Sequence, residues 1–253
     1  MFAPTFGEYA AAARAAGMEV LEAPHPGAGK HGAEPWRFIE ELQPSLVFLC
    51  NPNNPTGDLW PREAAQALGA AAARGGGRLV VDEAYMPFAW PEDERAAPGP
   101  GLLVLRSLTK VHAVPGLRLG FLLGPEGDIA AVEAQQPPWA VSAPALAAGL
   151  AALELEDFCR ESARRVAATR AALFDALDRA GFAARPSLAN FLLVDVGDGA
   201  RFRAGLLRRG FVVRDCASFG LPSCVRIAVP HDRDAARLVE AMVEVREWLA
   251  AES

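Results

Sequence analysis

Short apolar runs alternate with alanine-rich stretches along this 253-residue chain, and three of the runs end abruptly in polar motifs. Leu46 to Leu49 leads into Cys50-Asn-Pro-Asn-Asn-Pro-Thr-Gly57, Arg78 to Val81 into Asp82-Glu-Ala-Tyr85, and Leu102 to Leu105 into Ser107-Leu-Thr-Lys110. Apolar runs alternating with helical stretches are the pattern of a parallel sheet covered by helices, an α/β fold. In such a sheet ligands bind outside the carboxyl ends of the strands, so the three motifs should converge on one crevice.

The same patterning predicts helices over Phe6 to Ala16, Arg62 to Arg74 and Ala143 to Ala180, the last with a solvated basic face at Glu161-Ser-Ala-Arg-Arg. Phe191 to Val196, Gly210 to Val213 and Val225 to Val229 read as strands, and the amphipathic Asp232 to Ala250 as a closing helix. The chain thus divides into a large domain with a mostly parallel sheet over residues 1–150, and a linking helix with a smaller α+β domain over 151–253. Gly75-Gly-Gly77 precedes a strand and reads as a flexible connection. Gly27-Ala-Gly-Lys30 resembles part of a phosphate-binding loop, but Pro24 stands where the first glycine belongs and His31 replaces the Ser/Thr, so it reads as a turn.

Lys110 carries the chemistry. A lysine at the end of a buried strand is partly desolvated, which favours its neutral amine, and a neutral amine condenses with a carbonyl. The hydroxyls of Ser107 and Thr109 and the guanidinium of Arg118, eight residues on, supply donors and a fixed charge for a phosphate beside that carbonyl. The pattern asks for pyridoxal 5'-phosphate. S-x-x-K also occurs in serine β-lactamases and penicillin-binding proteins, but the S-D-N and K-T-G elements those enzymes need do not occur here.

With N-P-N-N-P-T-G, D-E-A-Y and S-L-T-K-x7-R in order, the chain resembles the fold-type I pyridoxal-phosphate enzymes, specifically the class I/II aminotransferase family and its histidinol-phosphate aminotransferase branch. The resemblance runs from about Pro4 to the carboxyl end. It implies that Lys110 holds the cofactor and then acts as the general base at the substrate α-carbon. Asp82 would pair with the pyridine nitrogen and keep it protonated. Asn54 and Tyr85 would hydrogen-bond the ring's phenolic oxygen. Phe6 aligns with the aromatic that stacks on the pyridine face, with a plain core phenylalanine as the competing reading.

Arg226, in Cys224-Val-Arg-Ile-Ala-Val, sits in an apolar strand where an unpaired guanidinium is costly, so it should meet an anion. By resemblance it clamps the substrate α-carboxylate, with Asn190 as a second contact. Arg214 matches an arginine used for phosphate-bearing substrates in the histidinol-phosphate branch, with a surface salt bridge to Asp215 as the alternative. The family's small carboxyl-terminal domain suits the pattern after residue 150, and a homodimer is implied. At the front the chain departs from the family, opening at Pro4-Thr-Phe where relatives have already used a substantial amino-terminal portion. That portion supplies a Gly-rich turn for the cofactor phosphate and a tyrosine that reaches the partner's site.

Composition agrees with a soluble enzyme. With 51% hydrophobic and 22% charged residues and a net charge of −6, the chain offers neither disorder nor a basic run for nucleic acid or anionic membrane. Cys50, Cys159, Cys216 and Cys224 form no C-x-x-C pair, which suits a reducing, cytoplasmic setting. No signal-peptide pattern opens the chain, and no segment approaches the roughly 20 apolar residues of a membrane span. His25, His31, His112 and His231 lack metal-site spacing, so no metal is expected.

Three functions follow: a pyridoxal-phosphate aminotransferase moving an amino group between an amino acid or phosphorylated amine and a 2-oxo acid; a decarboxylase resembling the threonine-phosphate decarboxylases of cobalamin synthesis; or a weakly active remnant of the fold. The first and second differ in how the substrate carboxylate is held against the cofactor plane.

Overall fold

Two four-stranded sheets, one mostly parallel and one antiparallel, organise the described residues, with a two-stranded parallel sheet near the start. The computed structural model describes residues 1–25, 35–90 and 94–252. The Gly27-Ala-Gly-Lys30 turn and His31 lie outside the described residues. The first half opens with β1 (Phe2–Ala3), α1 (Glu8–Ala15), β2 (Ala23–Pro24) and α2 (Pro35–Leu42). It continues through β3 (Leu46–Cys50), α3 (Arg62–Arg74), β4 (Arg78–Asp82), β5 (Leu102–Ser107), β6 (Gly120–Leu123) and α4 (Glu126–Glu133). β3, β4 and β5 pair in parallel in that order, and β6 adds to β5 antiparallel, giving the α/β, mostly parallel sheet that the patterning predicts.

Leu79 and Val81 of β4 and Val104 of β5 have no exposed surface. Strands covered on both faces have no polar side to show, so they read as unbroken apolar runs. On one face α3 lays down Ala65, Leu68, Ala71 and Ala72. Its alanines allow close approach, and the fully buried Leu68 contributes about 1.5–3 kcal/mol over an exposed leucine.

The second half comprises α5 (Ala143–Leu153), α6 (Glu156–Arg179), β7 (Ala183–Ala184), β8 (Phe191–Asp195), α7 (Gly199–Arg208), β9 (Arg214–Asp215), β10 (Cys224–Ala228) and α8 (Asp232–Ala251). Its sheet runs β7-β8-β10-β9, antiparallel throughout. A separate core forms where Leu173 and Leu177 of α6, Phe202 and Leu206 of α7 and Met242 and Val245 of α8 meet Leu192, Val194 and Ile227 of the sheet.

Three sequence expectations change. The stretch from Ala143 to Ala180 is two helices, because Leu155 leaves helical geometry (φ −98°, ψ 44°) and Glu156 and Asp157 open a new first turn, where the helix dipole favours acids. Gly210 to Val213 is not a strand. Gly210 takes φ +82° just past α7, and the Phe211 N–H closes back on the Leu206 carbonyl at 3.0 Å, so these residues end a helix and the strand is the next two. α1 begins at Glu8, which leaves Phe6 in the turn before it.

The halves meet where Ser187 to Asn190, the approach to β8, lies on the loop after β3. The Leu188 N–H donates to the Gly57 carbonyl at 2.9 Å, and Arg185 Nη2 stands 3.5 Å from Asp58 Oδ2. Gly57 has φ +77°, and a Cβ there would lie 2.0 Å from Ser187 Oγ, so both backbone and space require glycine. Gly57→Ala is expected to lose about 1–3 kcal/mol of stability in denaturant unfolding. Gly7→Ala, where nothing stands within 4 Å of the added carbon, should lose much less.

Candidate active site

The three parallel strands end level, with Cys50 beside Asp82 and Asp82 beside Leu105. Just past them the ladder continues, Asn51 N–H to the Asp82 carbonyl and Glu83 N–H to the Leu105 carbonyl, each at 2.8 Å. This brings the three polar motifs to one end of the sheet. Asp82 is 9% exposed, yet both its oxygens are satisfied: Oδ1 accepts the Ala84 N–H at 2.9 Å, and Oδ2 accepts the Tyr9 hydroxyl at 2.5 Å.

Tyr9 comes from α1, buried, its ring stacked on Phe48 with centroids 4.8 Å apart. Burial pushes its pKa far up, and Cys50 and Asp82 push in the same direction, so the hydroxyl stays a proton donor. The sequence reading missed Tyr9. The available signal was its spacing from Phe6, three residues on at the start of a predicted helix and therefore on one face.

In the loop after β3, two of three asparagines are used within the first half. Asn51 exchanges hydrogen bonds with the Trp60 backbone at 3.0 and 2.7 Å. Asn53 donates to the Pro4 carbonyl at 2.8 Å and to Thr56 Oγ1 at 2.9 Å, and accepts from Thr5 Oγ1 at 2.9 Å, which ties the Pro4-Thr-Phe segment to the loop. The third, Asn54, is buried and accepts the Arg226 Nη1 on its Oδ1, leaving its amide nitrogen as a donor. Glu83 of Asp-Glu-Ala-Tyr is also structural: its carboxylate is fully buried and takes Arg106 Nε at 3.0 Å.

Lys110 Nζ lies 3.4 Å from Ser107 Oγ, 3.5 Å from Thr109 Oγ1 and 5.3 Å from the centre of the Tyr85 ring. Burial lowers its pKa; Asp82 opposes that shift and Arg118 adds to it. Lys110 is one of only two lysines in the chain, the other being Lys30. Arg118 is exposed, with φ +52°, and its Nη1 donates to the Pro115 carbonyl at 2.9 Å. Burial raises the Tyr85 pKa, and Arg226 pulls it back.

From the second half, β8 and β10 bring Phe191 and Arg226 against these groups. The Tyr85 ring meets Phe191 edge-on at 5.0 Å, and the Arg226 guanidinium lies over Phe191 at 4.9 Å. Asn190 precedes Phe191 and its carbonyl accepts the Val229 N–H at 2.9 Å. Arg214 and Arg226 stand directly opposite each other on β9 and β10, an unfavourable placement for like charges. The alternative of a salt bridge between Arg214 and Asp215 is not what forms: Arg214 donates to Ser218 Oγ at 2.7 Å and lies over Phe219 at 6.0 Å. Phe6 is 40% exposed and meets Tyr9 edge-on at 5.5 Å, so it is not a core phenylalanine.

The sequence profile of aminotransferases of class I and II matches residues 1–242. The chain belongs to this aminotransferase family. Histidinol-phosphate aminotransferase 2 of Ralstonia nicotianae is 35% identical over 248 residues, covering 94% of this chain and 65% of the relative, so the chain spans about two thirds of that protein's length. Among solved structures, a putative aminotransferase from Burkholderia pseudomallei is 30% identical with a TM-score of 0.83, covering 96% of this chain and 74% of the other. Histidinol-phosphate aminotransferase from Sinorhizobium meliloti, solved in complex with pyridoxal-5'-phosphate, is 25% identical with a TM-score of 0.84, covering 98% and 70%. Every side chain placed at this candidate site lies within the stretch matched by the aminotransferase profile.

Tyr9→Phe removes a buried hydrogen bond to a carboxylate and is expected to cost about 1.5–3 kcal/mol of stability in denaturant unfolding. Phe6→Leu, at a more exposed ring, should change stability far less.

Proposed function

We propose that the protein is a pyridoxal 5'-phosphate-dependent aminotransferase that moves an amino group between a small amino donor, an amino acid or phosphorylated amine, and a 2-oxo acid acceptor. The observation that supports this best is the meeting of a desolvated amine, a buried carboxylate and a buried-strand guanidinium at the carboxyl ends of three parallel strands. That donor set suits the cofactor chemically: an amine for its aldehyde, a carboxylate for its pyridine nitrogen, hydroxyls for its phosphate. When bound, the cofactor supplies an electron sink for the bond that breaks at the substrate α-carbon.

Lys110 holds the cofactor and, once released, moves the proton at the α-carbon, a task its lowered pKa favours. Asp82, held as an acceptor by Tyr9 and the Ala84 N–H, takes the pyridine nitrogen. Ser107, Thr109 and Arg118 take the phosphate. The Asn54 amide nitrogen and the Tyr85 hydroxyl take the ring's phenolic oxygen, and Phe6 covers the ring face. Arg226 and Asn190 take the substrate carboxylate. Arg214, opposite Arg226, takes a second anion, and the repulsion between the two arginines is relieved by a substrate bearing a phosphate or second carboxylate. On this reading residues 1–150 form the cofactor-binding domain and residues 151–253 a smaller domain that brings the substrate-binding arginines.

The enzyme works as a homodimer. Leu146, Leu150 and Leu153 of α5 are spaced to share one helix face, and they are 52%, 70% and 57% exposed, with Trp139 just ahead of them at 95%. A second copy is the partner that suits such a stripe. The cytoplasm is its compartment, in keeping with four free cysteines. No helix among the described residues is long and apolar enough to cross a membrane.

Adding pyridoxal 5'-phosphate to the purified protein should produce a visible absorption band that Lys110→Ala abolishes. Borohydride should trap the cofactor on Lys110, and as pH rises trapping should reach its midpoint below 10.5, the ordinary lysine value. Amino donors should convert the band to the aminated cofactor; release of carbon dioxide without amination would identify a decarboxylase instead, and the absence of any Lys110-dependent band would overturn the reading. In sedimentation, the wild type should run as a dimer and Leu150→Glu should shift it toward monomer.

A further inference from the structure

Arg170 touches none of the groups assigned to cofactor or substrate, yet it joins the two sides of the site. It lies on the inner face of α6 with Ala163, Leu173 and Leu177, and is 7% exposed. No carboxylate pairs with it among the described residues, and burial lowers its pKa. A buried guanidinium without an anion is costly, and an apolar chain of similar volume would fill the same space without that cost.

What the guanidinium provides is a bridge. Its Nη1 donates to the Ala189 carbonyl at 2.8 Å and to the Phe88 carbonyl at 3.2 Å. Phe88 ends the short turn that follows Tyr85. Ala189 immediately precedes Asn190 and Phe191, and the neighbouring Leu188 is bonded to Gly57 in the Asn54 loop. One nitrogen therefore joins the backbone beside Tyr85 to the backbone beside Asn190. Across that seam the Tyr85 ring meets Phe191, and Arg226 lies over Phe191 and reaches Asn54.

We infer that Arg170 is a positioning residue that, by binding the Phe88 and Ala189 carbonyls together, holds the substrate-carboxylate side of the site in register with the cofactor side. This rests on the proposed aminotransferase function. Ordering both segments before substrate arrives spares that cost at binding, so the guanidinium acts on the affinity for a carboxylate-bearing donor rather than on capture of the cofactor.

The test compares wild type with Arg170→Met, which keeps most of the volume, and Arg170→Lys, which keeps the charge without the planar fork and remains usable if the methionine variant does not fold. In the cofactor-free proteins, hydrogen–deuterium exchange should rise at residues 86–90 and 187–191 in both variants. In the loaded proteins, affinity for pyridoxal phosphate should stay within about threefold of wild type, a small change in free energy. Affinity for 2-methylglutamate, which lacks the α-proton and so binds without turnover, should fall roughly tenfold, about what one lost hydrogen bond supplies. With glutamate as donor, KM should rise more than kcat falls. A lower melting temperature with unchanged exchange at either segment, or with unchanged 2-methylglutamate affinity, would overturn the inference. If wild type forms no Lys110-dependent band, the aminotransferase reading fails on its own, and exchange in the cofactor-free proteins still decides whether Arg170 couples the two segments.

Discussion

A carboxylate with little access to water, at the end of β4, is the group on which the rest of this site depends. Asp82 is accommodated at that depth because two donors from different parts of the chain meet it: its own loop's Ala84 N–H and the Tyr9 hydroxyl. An isolated carboxylate so placed, with no donor to meet it, would be costly to bury. The donation from Tyr9 in turn needs α1 lying against the sheet, with its ring on Phe48. The position of the first helix, the stacking of two rings and the hydrogen bonding of one side chain are thus a single arrangement.

The second constraint is the seam between the halves. Each half has its own core, but neither half holds the whole candidate site, since Lys110, Asp82 and Asn54 belong to one and Arg226 and Asn190 to the other. Side chains meet across the seam at Arg185–Asp58, Tyr85–Phe191 and Arg226–Asn54, and backbone groups join it at two further points: Leu188 to Gly57, and Arg170 to the carbonyls of Phe88 and Ala189. Backbone contacts of this kind tolerate changes in most neighbouring side chains, but not the loss of the glycine or of the guanidinium.

Much of this was legible in the sequence, for a physical reason. Strands buried on both faces must be apolar throughout, so the polar residues that follow them stand out, and Asn54, Asp82 and Lys110 could be read directly. What could not be read depends on distance along the chain. Tyr9 meets Asp82 across 73 residues and Arg170 meets Phe88 across 82, and beyond the three-residue spacing that sets Tyr9 on the face of Phe6 no local pattern marks either contact. Arg214 and Arg226 looked like separate binding residues because their opposition appears only once the register of β9 and β10 is known. Gly210 to Val213 misled for the opposite reason: the run is apolar and short like a strand, but the left-handed glycine that opens it commits the backbone to closing α7.

The opposed arginines also make the second sheet answerable to the solution around it. Two cations set opposite each other in the register of an antiparallel pair are unfavourable neighbours, and salt screens that cost. Because Arg214 is exposed, dissolved ions reach the pairing directly. The ionic medium thus becomes a variable in the energy of β9 and β10.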